Sequence, residues 1–111
     1  MPWQVDDTAV IVVSVAELQG LADIVSVSLD KDHMVQGESN TLHVQIKNVG
    51  QGKDRFAVAV YSSDIVVPNN LKELSSQLAP QQQGAVMFPF TAPADYAGTQ
   101  IGFQIEVMHW I

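Results

Sequence analysis

Along most of the chain, apolar residues recur at every second position. Leu42, Val44 and Ile46 alternate with His43, Gln45 and Lys47, and Phe56, Val58 and Val60 alternate with Arg55, Ala57, Ala59 and Tyr61. Successive side chains of a strand point to opposite faces, so each run predicts a strand with one face in a core and the other toward solvent. Val25, Val27 and Leu29, set against Ser26 and Ser28, predict a strand over 22–29. Val86, Phe88 and Phe90 predict another. Ile101, Phe103, Ile105 and Val107, opposed by Gln100, Gln104 and Glu106, predict a last strand over 99–111. Thr8 to Val15 differs, being a continuous apolar run rich in β-branched residues, the pattern of a strand buried on both faces. Helical spacing is confined to 70–78, where Leu71, Leu74 and Leu78 predict one or two turns of helix.

Turn-forming residues separate these runs. Asn48-Val49-Gly50-Gln51-Gly52 closes the third strand, Val67-Pro68-Asn69-Asn70 breaks the chain before the short helical stretch, and Ala92-Pro93-Ala94-Asp95 closes the sixth segment. Gln81-Gln82-Gln83, between Pro80 and Gly84, reads as a turn. Short strands at roughly ten-residue spacing predict an all-β fold, an immunoglobulin-like antiparallel β-sandwich of about seven strands. A chain of 111 residues suits one core. The expected organisation is a single domain over 1–111, with an extra N-terminal strand and connection in 1–21 and the sandwich in 22–111.

Composition narrows the function classes. Hydrophobic residues make up 47% of the chain and charged residues only 15%, so Ser, Thr, Asn and Gln supply much of the polar surface. Such a surface suits a protein packed against neighbours. The formal charge is -7, and Lys31, Lys47, Lys53, Arg55 and Lys72 are scattered apart from the pair at 53 and 55. This balance argues against nucleic acid, whose binding requires neutralised phosphates, and against anionic membranes. The absence of cysteine removes disulfides and thiolate chemistry. No apolar run approaches the ~20 residues of a membrane span. Asp6 and Asp7 stand where a signal sequence carries positive charge, so no signal peptide is visible and no membrane insertion is expected.

Four stretches of the region from Ala22 to Val107 resemble the CARDB-type immunoglobulin-like domains, small β-sandwiches common in bacterial and archaeal surface proteins. Residues 22–29 are similar to the family's opening strand, and Val35-Gln36-Gly37-Glu38 to its turn before the second strand. Residues 42–50 resemble its alternating strand ending in Lys-Asn-x-Gly, and Leu78-Ala79-Pro80 with 86–93 and Ala97-Gly98-Thr99 its late strand pair. The resemblance implies an immunoglobulin-like domain of a surface protein; together with the assembly reading below, the expected location is extracellular, at the cell surface or on a virion. The family's strand corresponding to 101–107 is normally followed by a final strand, whereas here the chain stops at Ile111 and an extra apolar strand precedes the resemblance. That strand is expected to fill the missing edge, either in its own molecule or in a neighbour's. Left uncovered, Ala9-Val10-Ile11-Val12-Val13 is an aggregation segment.

The candidate interaction residues are therefore Trp3, Val10, Ile11, Val12, Val13 and Trp110, the tryptophans being either core caps or anchors in a subunit contact. Asp30-Lys31-Asp32, with Asp6, Asp7, Asp54 or Asp95 nearby, offers oxygen ligands for calcium, but without EF-hand spacing, and acidic turn residues facing water are the commoner case. His33, His43 and His109 lack paired zinc spacing, and all three are expected on the surface, His43 and His109 on outward strand faces. Neither a nucleophile elbow nor a phosphate-cradling loop is present, so no catalytic residue and no cofactor is assigned. The expected function is that of a non-enzymatic structural or assembly subunit: a virion decoration, capsid or tail protein, or a surface-layer or appendage subunit. Its partners are other protein subunits in a homo-oligomer or larger assembly. The alternative is an extracellular adhesion or carbohydrate-binding module of a larger surface protein, with its site in the end loops 48–55, 62–68 and 81–84.

Overall fold

The computed structural model describes residues 2–11 and 22–110. Its strands are β1 (Trp3–Ile11), β2 (Ala22–Leu29), β3 (Ser39–Asn48), β4 (Phe56–Tyr61), β5 (Leu71–Glu73), β6 (Gln83–Thr91) and β7 (Phe103–Trp110). They form two antiparallel sheets, one ordered β1-β7-β4-β5 and the other β2-β3-β6.

The alternation in the sequence decides what lies between the sheets. Leu42, Val44 and Ile46 of β3 face Phe56, Val58 and Val60 of β4 and Ile105 and Val107 of β7, all essentially without exposed surface. Phe88 and Phe90 enter from β6, and Phe90 meets Phe103 edge to face at 5.0 Å. Each such large side chain contributes about 1.5–3 kcal/mol by leaving water. Asn48 is polar yet buried at the end of β3; its amide donates to the carbonyls of Gly52 and Leu78, and its oxygen accepts from the Gly50 N–H. It ties the 48–55 turn to the 78–83 turn.

The expected helix at 70–78 is not formed. Leu71–Glu73 is instead a short edge strand, paired with Ala57–Ala59 of β4. Leu71 faces outward and is half exposed, whereas Leu74 and Leu78 pack on the core, so the three leucines share no face. The backbone bonds Val60 N–H to Asn70 O and Leu74 N–H to Phe56 O commit the segment to the sheet. No helix occurs among the described residues.

β1 also departs from expectation. It begins at Trp3, ahead of the apolar run, and stands at the edge of its sheet; of the expected strand over 8–15, Thr8 is exposed and Ala9 buried, and 12–15 lie outside the described residues. It pairs antiparallel with β7 of its own chain. β1 runs from Trp3, beside Trp110, to Ile11, beside Phe103. The first of these levels, shared with Ala22, Asn48 and Phe56, is the basal end of the sandwich. The second, shared with Leu29, Ser39 and Tyr61, is the upper end.

Candidate assembly interface

The seam between β1 and β7 is built around a bulge. Trp3, Gln4 and Val5 pair with Trp110, His109 and Met108, the register then shifts, and Asp7, Thr8 and Ala9 pair with Val107, Glu106 and Ile105. Asp6 is the extra residue, and a bulge of this kind re-aims the side chain it carries. Its carboxylate lies against Nδ1 of His109, with only 3% and 9% of the two side chains exposed. After the bulge Asp7 and Ala9 point into the sandwich, and the Asp7 side chain accepts from the Thr8 N–H at 2.9 Å. The expected outward orientation of His109 is thus overturned: it stands in register with buried Phe56 and continues the inward set of Phe103, Ile105 and Val107. His43 does face outward, with Nε2 2.6 Å from Asp30 in an exposed pair, and His33 is exposed.

The outward face of the four-stranded sheet is aromatic and apolar at its basal end, while Thr8, Gln104 and Glu106 make its upper part polar. Trp3 and Trp110 meet edge to face, their centroids 4.7 Å apart. The Arg55 guanidinium lies 4.1 Å from the Trp110 ring and 5.5 Å from that of Trp3, and reaches Glu73 at 3.2 Å. Met108, Ala57 and Ala59 form a second buried cluster beneath Trp3. Around it Val5, Tyr61 and Leu71 are 45%, 47% and 51% exposed. Across the molecule, the outward residues of β3 are polar, with Gln45 hydrogen-bonded to Gln83 and Ser39 to Thr91, and exposed Met87 of β6 and Val25 of β2 stand on the same sheet. Arg55→Ala is expected to lower stability by about 1–2 kcal/mol, because guanidinium–indole contacts are each worth roughly 0.5–1 kcal/mol at exposed sites. Urea denaturation followed by tryptophan fluorescence measures this and reports the indoles directly.

At the upper end a half-open cavity of about 330 Å³ is bounded by Asp32, His33, Gln36, Tyr96, Gln100 and Phe103. The turn beside it depends on Gly37, whose φ of 80° suits glycine. The Glu38 carboxylate accepts from the Val35 N–H and pairs with Lys31, which together hold it below the usual carboxylate range. Of the end loops expected to offer a binding site, 62–68 lies at this upper end, while 48–55 and 81–84 lie at the basal end. The acidic residues are divided in the same way: Asp30 is engaged with His43, Asp6 is in the seam, and Asp54 bridges to Leu78 at the base. Among the described residues no three His, Asp or Glu side chains gather as a metal site would require.

Of the candidate interaction residues, Trp3 and Trp110 come together on the outer face, and the backbone register sets Val10 across Gln104 and Ile11 across Phe103. Val12 and Val13 lie outside the described residues. The sequence reading missed Arg55 as the cation lying over both indoles, and the Asp6–His109 contact.

No curated protein matches the chain. A scan against protein-family models matches CARDB over residues 21–107. The match begins just before β2 and ends within β7, so β1 and the three residues of β7 facing its first half lie beyond it. With most of its length matched and with two antiparallel sheets in sandwich order, the chain belongs to the CARDB family of immunoglobulin-like β-sandwich domains.

Proposed function

We propose that this domain is a non-catalytic structural subunit that joins other protein subunits in a repeated assembly outside the cell, such as a surface layer or appendage. One observation carries the proposal: at the basal end of its outward face the four-stranded sheet gathers Trp3, Trp110 and Arg55, with half-exposed Val5 and Leu71 on the same face. An aromatic pair with an arginine and exposed apolar side chains is the composition of a subunit contact. The family supports the location, because CARDB domains are common in surface proteins. The low proportion of charged residues points the same way.

The cavity at the upper end favours a second reading, a carbohydrate-binding module, since its volume falls within the ~300–1,000 Å³ of ligand pockets and it combines an aromatic ring with polar side chains. Native mass separates the two. Sedimentation velocity over a hundredfold concentration range is expected to show species heavier than one chain. A strictly monomeric protein up to its solubility limit removes the assembly reading, and saturable glycan binding by that monomer establishes the second.

A further inference from the structure

The cavity at the upper end does not stand alone. A second and more open one, of about 620 Å³, adjoins it against Tyr61, Ser63, Asp64 and Gln104, where β4 and β7 reach the upper level. Gln100 and Phe103 line both, so one groove crosses the upper end from Gln36 to Tyr61. The first cavity, at about 330 Å³, and the second each have the volume of a small-molecule site, ~300–1,000 Å³. Set in line, they offer room for a chain rather than for one compact ligand.

The groove carries an aromatic ring held in place. Tyr96 lies directly over Gly98: a Cβ at position 98 would stand 2.5 Å from its Oη and 2.7 Å from its Cζ, so any side chain there displaces the ring. The Tyr96 hydroxyl donates to the Gln100 carbonyl, and its own carbonyl accepts from Nε2 of Gln36. A ring fixed before a ligand arrives spares part of the ordering cost of binding. Tyr61, 47% exposed, offers a second ring in the other cavity. The amides of Gln36, Gln100 and Gln104 add groups that both donate and accept.

Charge excludes one class of ligand. Among the described residues Lys31 is the one lysine or arginine lining either cavity, and its ammonium is paired with Glu38 at 3.1 Å. Carboxylates stand in both, Asp32 in the first and Asp64 in the second. Asp64 accepts from the Gly102 N–H at 2.7 Å. Partial burial, together with the negative charge of Asp64, holds the Tyr96 phenol above its ordinary range, so that charge is felt in the first cavity too. An anionic ligand therefore meets like charge in both cavities. Aromatic faces with paired donors and acceptors suit the C–H faces and hydroxyls of a neutral sugar chain instead.

Resting on the carbohydrate-binding reading of the upper cavity, we infer that the whole groove binds a linear, uncharged oligosaccharide segment. Tyr96 and Tyr61 stack on separate sugar units, and Asp32 and Asp64 accept from hydroxyls while turning uronates away.

Isothermal titration of the full chain tests this with neutral gluco-, manno-, galacto- and N-acetylglucosamine oligosaccharides, each as disaccharide and hexasaccharide, and with hexagalacturonate. At least one neutral hexasaccharide is expected to bind saturably and about tenfold more tightly than its disaccharide, because it reaches both cavities. Hexagalacturonate is expected not to bind wild type and to bind D32N/D64N. Tyr61→Ala is expected to weaken the hexasaccharide at least about fivefold and to leave the disaccharide unchanged, whereas Tyr96→Ala and Gly98→Ala weaken both. Circular dichroism checks that each variant is folded. A hexasaccharide no tighter than its disaccharide, or indifferent to Tyr61→Ala, overturns the groove and leaves a carbohydrate module with one cavity standing. Uronate bound as well as the neutral chain, or still excluded by D32N/D64N, overturns the selection by charge. No saturable binding by any neutral hexasaccharide overturns the inference and the carbohydrate-binding reading together.

Discussion

Removal of residues 1–11 is expected to abolish cooperative unfolding, and a synthetic peptide of residues 2–11 added to the truncated chain is expected to restore it. Among the described residues β1 is the only strand on that side of β7, and its loss leaves the β7 backbone along Phe103–Trp110 without its ladder partner. Ile105 and Val107, fully buried in the intact protein, then lie at an open edge, and His109 loses the carboxylate beside it. A domain of this size is stable by about 5–15 kcal/mol, a margin that does not survive the loss of an edge strand contributing to the core. The exposed edge is also a template for pairing with other chains, so the truncated protein is expected to aggregate unless the peptide covers it. Circular dichroism during heating, with and without a molar excess of peptide, measures both effects. A truncated chain that melts cooperatively at the wild-type temperature shows that β1 adds nothing to the core.

The same strand marks the limit of what the sequence carries. Where two-residue alternation runs unbroken, as in β3 and β4, parity alone assigned the inward residues correctly: Leu42, Val44, Ile46, Phe56, Val58 and Val60 are all buried. In β1 the alternation is broken by the bulge, which places Trp3 and Val5 on one face and Asp7 and Ala9 on the other with Asp6 between them. No periodic reading recovers such a strand, and its polar first half hid its start from a search for apolar runs. His109 is a different case. The inward parity of Phe103, Ile105 and Val107 extends to position 109, but a histidine reads as surface when its partner, 103 residues away in sequence, is invisible. At 70–78 the leucine spacing predicted a helix, yet pairing with β4 determined the backbone, as tertiary contacts override a short local pattern. The outer face with Arg55 against two indoles was half legible, since both tryptophans stood out while the arginine looked like one of several scattered charges.

Two histidine–aspartate pairs in one small protein allow burial to be tested as the deciding variable. His43 and Asp30 meet on the outer surface, with 37% and 59% of their side chains exposed. His109 and Asp6 meet under the β1 bulge, almost without exposure. His43→Ala is expected to change stability by less than about 1 kcal/mol, because solvent screens the pair and each partner is solvated when the other is removed. His109→Ala is expected to lower it by about 3–5 kcal/mol, since it strands the Asp6 carboxylate in the seam and leaves a cavity beside Phe56. Replacing both members with apolar residues, as in D6L/H109L, is expected to recover most of that loss, because the penalty comes from an uncompensated polar group more than from the missing attraction. Urea denaturation of the three variants checks the order. Equal losses for His43→Ala and His109→Ala contradict the assignment of the buried pair as the fastening of β1. A double variant as unstable as His109→Ala alone points instead to shape as what the seam requires.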